Sequence, residues 1–277
     1  MGMKKVFAVI AILCFVWACG LPLSSAQAAE EATALPVLMY HSISTTQKGV
    51  YFVSPEQLNE DLSELKKRGY TFVTVAAVTD YLNGKGDLPE KPVLLTFDDG
   101  HYDNLYYGLP ILKKHDAKAV IHVIGCFTEY SSTHEKDHLE YSHLTWDEIA
   151  YLGKSGVFEI GSHTYRMHSY RPRFGVKRQK GETEEAHRRA VKEDLETLDR
   201  ALLDKCGLYP VCFAYPFGAY DEGSEEVVNE RYGAVFTCYE KINKLKRGDI
   251  KKLSKLYRIN RDGRMGSTAF LNKHGIV

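Results

Sequence analysis

The chain has 277 residues with 36 basic and 36 acidic side chains, so its formal net charge is zero. A neutral chain lacks the basic excess that nucleic-acid-binding domains use to hold phosphates, which argues against a nucleic-acid partner. Hydrophobic residues make up 44% of the chain, enough for one large core.

The first 28 residues have the three parts of a secretory signal peptide. Lys4 and Lys5 provide the positive region, an apolar run covers 6–18, and Ala26-Gln27-Ala28 is a small-residue cleavage site. The apolar run is shorter than the ~20 residues that a membrane-spanning helix needs. We therefore expect a cleaved peptide at 1–28 and a secreted or cell-surface protein.

Lipidation at Cys19 is an alternative, because the residues at 16–19 faintly resemble a lipobox. Trp17 is unusual in such a motif, so the cleaved signal peptide is the preferred interpretation. Either outcome would place residues 29–277 outside the cytoplasm.

Beyond the signal peptide, short apolar runs alternate with longer amphipathic ones. This alternation predicts an α/β fold with a parallel sheet. Strands are predicted at 36–40, 93–97, 119–124, 211–215, 234–239 and 256–260.

Helices are predicted between these strands. Two of them begin with a capping box, at Ser54 and at Thr145. Another is predicted near 105–115, and the longest covers 182–205 and is stopped by Gly207.

Two adjacent carboxylates follow the strand predicted at 93–97. Successive side chains of an extended chain point in opposite directions, so either Asp98 or Asp99 can hold a metal while its neighbour takes a proton. Asp-Asp-Gly is also common turn chemistry, with Gly100 supplying positive φ. Further ligands elsewhere in the chain are needed to favour a site.

A pair of histidines supplies those ligands. His163 and His168 follow an apolar run at 157–162. At this spacing they would lie about 140° apart around a helix, so they must converge from a bend or loop after the strand. Two imidazoles and one carboxylate can hold a divalent cation and leave positions open for water and substrate.

Three motifs together resemble those of the polysaccharide deacetylase family, the carbohydrate esterases with a NodB-like domain. They are Thr-Phe-Asp-Asp-Gly at 96–100, the stretch from Ser-His-Thr to the second histidine at 162–168, and Phe-Ala-Tyr-Pro-Phe-Gly at 213–218. The resemblance runs from about Pro36 to about Gly263, nearly the whole chain after the signal peptide. It implies one catalytic domain, folded as a distorted (β/α) barrel, with the site at the carboxyl ends of the strands.

The resemblance also implies roles for the site residues. Three side chains would hold one divalent metal: Asp99, His163 and His168. Zinc is the first choice, with cobalt, nickel or iron as alternatives. Asp98 would be the general base for a water that the cation acidifies. Three residues of the third motif would line the sugar groove: Tyr215, Pro216 and Phe217. The backbone N–H of Phe217 would also hold the oxyanion.

The chain departs from the common family pattern at the general acid. Many members have a catalytic histidine in a Leu-x-Ile-His motif near the carboxyl terminus, whereas the matching strand here ends in Asn260. Leu-Met-Tyr-His at 38–41 resembles that motif moved to the amino terminus, as in the circularly permuted branch of poly-N-acetylglucosamine deacetylases. His41 is therefore expected to protonate the leaving amine, the alternative being a plain strand-end histidine.

A second departure concerns the residue that orients the base. Many members have an arginine where this chain has Ala214. Arg258 and Arg261 are both candidates to hold Asp98 instead, and the sequence leaves this choice open.

The implied activity is metal-dependent removal of N-acetyl groups from poly-N-acetylglucosamine or a related cell-surface glycan. A peptidoglycan N-deacetylase and an O-acetyl polysaccharide esterase would use the same residues and are alternatives. A non-catalytic carbohydrate-binding relative would be expected to have lost the base or a ligand, and all of these are present. We expect a monomer whose partner is the polysaccharide.

Two further groups of polar residues could bind a ligand. A polar loop could form a second metal site: His134, Glu135, Asp137, His138, Glu140 and His143. A basic run without an intervening acid could contact an anionic polymer: Arg171, Arg173, Lys177, Arg178 and Lys180. The simpler interpretation of both is a solvated surface loop.

Four cysteines follow the signal peptide: Cys126, Cys206, Cys212 and Cys238. They contain no Cys-x-x-Cys pair, so they do not predict a zinc or redox site. We expect them to pack in the core, with a disulfide from Cys206 to Cys212 or Cys238 as the alternative in an exported protein.

Overall fold

The structure is a computed structural model that describes residues 32–134, 139 and 142–277. The signal peptide predicted at 1–28, including Cys19, lies outside the described residues. In the part of the chain that is described, no helix is both long enough and apolar enough to cross a membrane.

The described residues form short strands and eight α-helices. The strands are β1 (Thr33–Leu35), β2 (Val37–Tyr40), β3 (Ser42–Ile43), β4 (Phe52–Val53), β5 (Thr71–Phe72), β6 (Pro92–Phe97), β7 (Ala119–Val123), β8 (Phe158–Ser162), β9 (Phe213–Ala214), β10 (Val235–Phe236), β11 (Asn243–Leu245) and β12 (Ile259–Asn260). The helices are α1 (Pro55–Lys67), α2 (Val75–Leu82), α3 (Leu109–Lys114), α4 (Gly125–Thr133), α5 (Trp146–Lys154), α6 (Glu184–Cys206), α7 (Glu222–Arg231) and α8 (Ser267–Lys273).

One parallel sheet organises the fold. Its strand order is β10-β9-β8-β7-β6-β2-β12, and β5 pairs with the start of β6. The sheet curls back on itself: the N–H of Thr237, after β10, donates to Leu256 O at 2.9 Å, and the N–H of Leu256 donates to Val235 O at 2.8 Å. Since Leu256 lies just before β12, the two ends of the sheet meet. The predicted distorted (β/α) barrel is confirmed.

Several helices begin or end at the residues that the sequence predicts. At the start of α1, Ser54 accepts a hydrogen bond from the N–H of Gln57, and at the start of α5 Thr145 accepts one from Glu148. Both predicted capping boxes are present. Helix α6 ends at Gly207, whose φ of 68° lies in the left-handed region that glycine adopts freely.

Other boundaries differ from the predictions. The helix predicted near 105–115 begins with a π-helical turn, Asn104–Gly108, before α3. The strand predicted at 211–215 pairs regularly only over β9, although the N–H of Val211 donates to Ile160 O at 2.9 Å. A strongly curled sheet allows neighbouring strands to pair over only a few residues. The apolar periodicity did not indicate α2, α4, α7 or α8, which are short or largely polar.

The two faces of the sheet enter different cores. Leu95 and Phe97 of β6 pack with side chains from α1, α5, α6 and α8, whereas Leu94 packs with a second core that includes α2. Because side chains alternate along a strand, Thr96 and Asp98 lie on the same face as Leu94. A polar site therefore forms where the second core reaches the carboxyl ends of the strands.

Candidate active site

The two adjacent carboxylates after β6 have different surroundings. Asp98 is only 2% exposed. Asp99 has a φ of 71°, a left-handed conformation that residues other than glycine rarely adopt. Thr164 and Phe217, in two other loops at this edge of the sheet, have φ values of 72° and 58°. Such backbone conformations cost energy and cluster at functional sites.

Asp99 lies beside both histidines of the second motif. Its Oδ1 is 3.5 Å from His163 Nε2 and 3.2 Å from His168 Nε2. One ligand atom from each of the three side chains lies within 4.8 Å of the others. His163 directly follows β8 and His168 lies in the loop beyond, so the two rings converge from a loop as their spacing predicts.

The protonation of these side chains suits a cation. His163 Nδ1 is 2.7 Å from Ala214 O, so Nδ1 carries the proton and Nε2 presents its lone pair. Burial lowers the pKa of His163 to about 3, which keeps the ring neutral. Asp99 Oδ1 is buried and accepts no hydrogen bond. These are the donors that a divalent cation requires, so the three side chains could hold one.

Asp98 is held from two sides. Arg258 donates from Nη1 to Oδ1 at 2.7 Å and from Nη2 to Oδ2 at 2.8 Å. His122 Nδ1 lies 2.8 Å from Oδ1. Burial by itself would raise the pKa of Asp98, but the charge of Arg258 and the hydrogen bond from His122 hold it well below the usual value. The carboxylate therefore stays ionised.

This geometry decides between the two candidate arginines. Arg258 holds Asp98, whereas Arg261 donates from Nε to Asp61 Oδ2 at 2.7 Å. Arg258 is fully buried, and its paired hydrogen bonds to Asp98 compensate the buried charge. It directly precedes β12, and the parallel pairing of β12 with β2 brings it to the site.

The position of His122 depends on a glycine in the next strand. His122 of β7 is the direct partner of Gly161 in β8. A Cβ at position 161 would lie 2.3 Å from His122 Cδ2 and 2.9 Å from Cys212 Sγ. A glycine at this position is therefore what leaves room for the imidazole that contacts Asp98.

His41 follows β2 and lines the same cleft as the two aspartates. Its ring meets the edge of Tyr51 at 4.7 Å between ring centres, and its Nδ1 is buried without a hydrogen-bond partner. Burial lowers the pKa of His41, and the two nearby aspartates oppose that shift. Asn260 also lines the cleft and donates to Val50 O at 3.1 Å.

The third motif reaches the cleft through one side chain. Phe217 lines the cleft, with its ring 4.3 Å from that of His168. Tyr215 is buried instead, with its ring against those of Phe213 and Tyr220, and Pro216 is buried as well. This corrects the expectation that all three side chains face a sugar. The N–H of Tyr215 donates to Phe236 O at 3.2 Å. The N–H of Phe217 makes no hydrogen bond within the described residues.

A cleft of about 760 Å³ joins these groups. Tyr51 and Tyr170 on its walls are 55% and 70% exposed. The ring of Tyr170 stacks on Phe217 at 4.3 Å between centres, and Phe174 stacks on Phe217 at 5.4 Å. Apolar walls around a few convergent polar groups are typical of a ligand site.

A model of a protein family described as polysaccharide deacetylase matches residues 85–233, just over half of the chain. The chain belongs to the polysaccharide deacetylase family. The match contains both carboxylates, both histidines and the third motif, whereas His41 and Arg258 lie outside it. The family predicted from the motifs is thereby confirmed.

Two curated relatives match parts of the chain. The poly-beta-1,6-N-acetyl-D-glucosamine N-deacetylase of Escherichia coli strain K12 is 26% identical over 223 residues, which cover 72% of this chain and 33% of the relative. The protein YxkH of Bacillus subtilis strain 168 is 34% identical over 135 residues, or 49% of this chain and 44% of the relative. The chain thus spans less than half the length of either relative.

Solved structures share the fold. The de-N-acetylase from Aggregatibacter actinomycetemcomitans has a TM-score of 0.74 at 23% identity, over 87% of this chain and 99% of that chain. IcaB from Ammonifex degensii has a TM-score of 0.69 at 24% identity, over 88% and 97% of the two chains. The likeness supports the assignment of a NodB-type barrel.

His101 and His143 also line the cleft, although the motifs placed neither of them there. His101 Nε2 lies 3.6 Å from Asp99 Oδ2, and its ring stacks on His143 at 5.0 Å. His122 is a third histidine that the motifs did not indicate. Two features of the sequence could have indicated these residues. His122 is a lone polar side chain inside the apolar strand β7, and His101 directly follows Asp-Asp-Gly.

The polar loop supplies no second metal site among the described residues. Four members of the suggested cluster lie outside the described residues: Glu135, Asp137, His138 and Glu140. His143 belongs to the cleft, and His134 is exposed and stacks on Tyr130 at 4.1 Å between ring centres.

The basic run is not solvated along its whole length. Arg173 is only 8% exposed, and its guanidinium donates to both carboxylate oxygens of Glu182 at 2.9 and 2.6 Å. Arg173 therefore differs from the expected surface loop, because it pairs with the carboxylate of Glu182, which follows the basic run in the sequence. The other four basic side chains of the run are exposed or nearly so.

The four described cysteines are free, so the suggested disulfide is not formed. Cys206 and Cys212 pack in the two cores, as expected. Cys238 lines the cleft instead, with its sulfur 3.7 Å from Arg258 Nη2.

Proposed function

We propose that the protein is a metal-dependent hydrolase that removes N-acetyl groups from an N-acetylglucosamine-containing polysaccharide. The observation that carries this proposal is one cleft with two adjacent carboxylates that have different partners. Asp99 lies against two histidines, and Asp98 is held by Arg258 and His122. The name of the Escherichia coli relative supports the substrate class.

We assign one divalent cation to Asp99, His163 and His168, with zinc as the first choice. Mixed nitrogen and oxygen ligands also accept cobalt, nickel or iron. When bound, the cation supplies Lewis acidity, which lowers the pKa of water and polarises the acetyl carbonyl.

Asp98 is the general base of this proposal. Its carboxylate is ionised and lines the cleft, so it can take a proton from the attacking water. A carboxylate is a weak base towards ordinary water, so this role of Asp98 depends on a water that the cation has acidified. Arg258 and His122 act as positioning residues, since both contact the carboxylate and neither needs to contact the substrate.

Amide hydrolysis also needs a donor for the oxyanion and a proton for the departing amine. The N–H of Phe217 is the donor that the third motif leaves free, and it lies in the loop that contacts His168. His41 is the general acid, with a ring nitrogen that has no protein partner in the same cleft.

The site is proposed to work outside the cytoplasm. The signal peptide predicted at 1–28 would export the chain, and a cell-surface polysaccharide would be its partner. The protein would act as a monomer.

A substrate panel tests this function. Zinc-loaded protein is incubated with N-acetylglucosamine oligomers, peptidoglycan and acetylated xylan, and free amine and acetate are measured. We expect equal amounts of both products from the oligomers, and a rate of release about 10²–10⁴-fold lower from Asp98→Asn. Acetate from xylan alone would mean an O-acetyl esterase, and products from peptidoglycan alone would change the substrate. Binding of oligomers without any release would mean a carbohydrate-binding relative.

A further inference from the structure

We propose a second subsite beside the proposed metal ligands, which binds a carboxylate on the sugar unit next to the one that is deacetylated. It occupies a cavity of about 610 Å³ that shares His168 with the main cleft. The inference rests on the proposed function, since it requires a polymeric N-acetylated glycan in the main cleft.

The wall of this cavity is basic. Arg166 and Arg171 both line it, and both side chains are exposed. Neither forms an ion pair with a carboxylate among the described residues, whereas Arg173 in the same wall does. The guanidinium of Arg166 lies over the ring of Tyr165, 5.9 Å from its centre.

The acidic groups near the cavity already have partners. Asp194 lines the cavity, and its two oxygens accept the backbone N–H groups of Tyr165 and Arg166 at 2.7 and 2.8 Å. Glu182 is bound by Arg173 through both of its oxygens. Asp194 keeps its negative charge, which acts on the nearby Arg166 and Arg173. The cavity is thus lined by three arginines and one carboxylate, and Arg166 and Arg171 are the two arginines whose guanidinium groups have no ion-pair partner among the described residues.

The cavity continues the main cleft around one loop. Tyr170 lines the main cleft and stacks on Phe217, and the next residue, Arg171, lines the second cavity. His168 lines both. A sugar unit that lies against Tyr170 would thus have a neighbouring unit within reach of the arginines.

The charge of the wall selects the kind of neighbour. Planar guanidinium groups bind carboxylates through paired hydrogen bonds, and they repel cations. Deacetylation leaves an ammonium group on the sugar, so a neighbouring unit that has already been deacetylated should bind less well than an acetylated one. A neighbouring unit with a carboxylate should bind best.

A comparison of matched substrates tests the subsite. The acidic substrate is an oligomer of alternating N-acetylglucosamine and N-acetylmuramic acid, and its partner has the same carboxylates converted to amides. N-acetylglucosamine oligomers serve as the neutral substrate. The variants are the double substitution Arg166→Gln with Arg171→Gln, and Lys180→Gln as a control that removes an exposed charge outside the cavity.

We expect the double variant to raise KM for the acidic oligomer by about 3- to 10-fold, the range of one or two exposed ion pairs, with kcat unchanged. KM for the neutral oligomers should not change. Amidation of the substrate should raise the wild-type KM by the same factor and remove the difference between wild type and double variant. Lys180→Gln should behave as wild type.

Equal wild-type KM values for the acidic and amidated oligomers would overturn the subsite, even with normal deacetylation. A similar loss on the neutral oligomers would mean that the arginines only shape the loop, which also overturns it. If wild type releases acetate from no glycan, the proposed function has failed. Calorimetric binding of the acidic and amidated oligomers to wild type and double variant then decides the subsite by itself.

Discussion

Asp98 and Asp99 differ in their partners rather than in their chemistry. A buried arginine binds both oxygens of Asp98, so that carboxylate has a permanent counter-charge. Asp99 keeps one buried oxygen without a hydrogen bond, beside the imidazoles of His163 and His168. The same substitution at the two positions should therefore have different effects.

Asp99→Asn and His163→Ala should each lose most of the bound metal, because a neutral amide or a methyl group is a much weaker ligand than the native side chain. Asp98→Asn should keep the metal and lose activity by about 10²–10⁴-fold, the usual contribution of a general base. Metal analysis and acetate release measure both effects, with His134→Ala, an exposed histidine outside the cleft, as the control. Metal loss in Asp98→Asn together with full occupancy in Asp99→Asn would reverse the two roles.

His41→Ala tests the general acid. We expect unchanged metal content and thermal stability, and a decrease of kcat on an N-acetyl substrate of about 10²-fold or more. An activated aryl acetate should be affected much less, because its good leaving group needs no proton. Asn260, at the end of the strand where many relatives have the acid, cannot donate a proton at a useful pKa. Equal losses on both substrates would mean that His41 shapes the cleft, and full activity on both would leave it as a strand-end histidine.

At the scale of elements, parallel strands collect the site from distant parts of the chain. His41 follows β2, the two carboxylates follow β6, and His163 follows β8. The carboxyl ends of parallel strands share one edge of the sheet, so residues at these ends become neighbours. Helices connect these consecutive strands, and the residues at the ends of each helix determine where the chain leaves the helix and returns to the sheet.

The end of the longest helix offers a matched test of this local chemistry. Gly207 at the end of α6 has a φ of 68°, whereas Gly233 has no positive φ, and a Cβ at either position would meet nothing within 4 Å. Gly207→Ala should lower the free energy of unfolding by about 1–2 kcal/mol, the cost of a left-handed non-glycine residue. Gly233→Ala should be neutral or slightly stabilising. Urea denaturation measures both, and equal effects would mean that backbone conformation does not determine the end of this helix.

At the scale of the whole molecule, stability and site are separate. The proposed metal ligands follow β6 and β8 at the carboxyl edge of the sheet, beyond the apolar side chains that pack on its two faces. The fold should therefore form without the cation, and binding of the cation should add stability only by mass action.

Removal of the metal tests this separation. A chelator should abolish deacetylation and leave the far-ultraviolet circular dichroism unchanged. Zinc at 100 times its dissociation constant should then stabilise the protein by about 2.7 kcal/mol, and restore activity. The melting temperature should rise by several degrees in wild type and not in Asp99→Ala. Unfolding of the chelated protein would show that the metal is part of the core structure.

The sequence by itself determined what depends on near neighbours. The capping boxes at Ser54 and Thr145 and the end of α6 at Gly207 follow from local hydrogen bonds and backbone conformation. The strand that ends in two carboxylates is equally local, and the spacing of two histidines excluded a helix. Together with the three motifs, these features were enough to predict the family and the barrel.

The tertiary structure alone decided what depends on the register and curl of the sheet. Arg258, rather than Arg261, reaches Asp98 across 160 residues because β12 pairs with β2. His122 reaches the same carboxylate because a glycine faces it in β8. Arg173 is neutralised by Glu182, which lies outside its own run of charges. Each of these contacts depends on distances between strands and loops, and a local pattern of residue types carries no information about those distances.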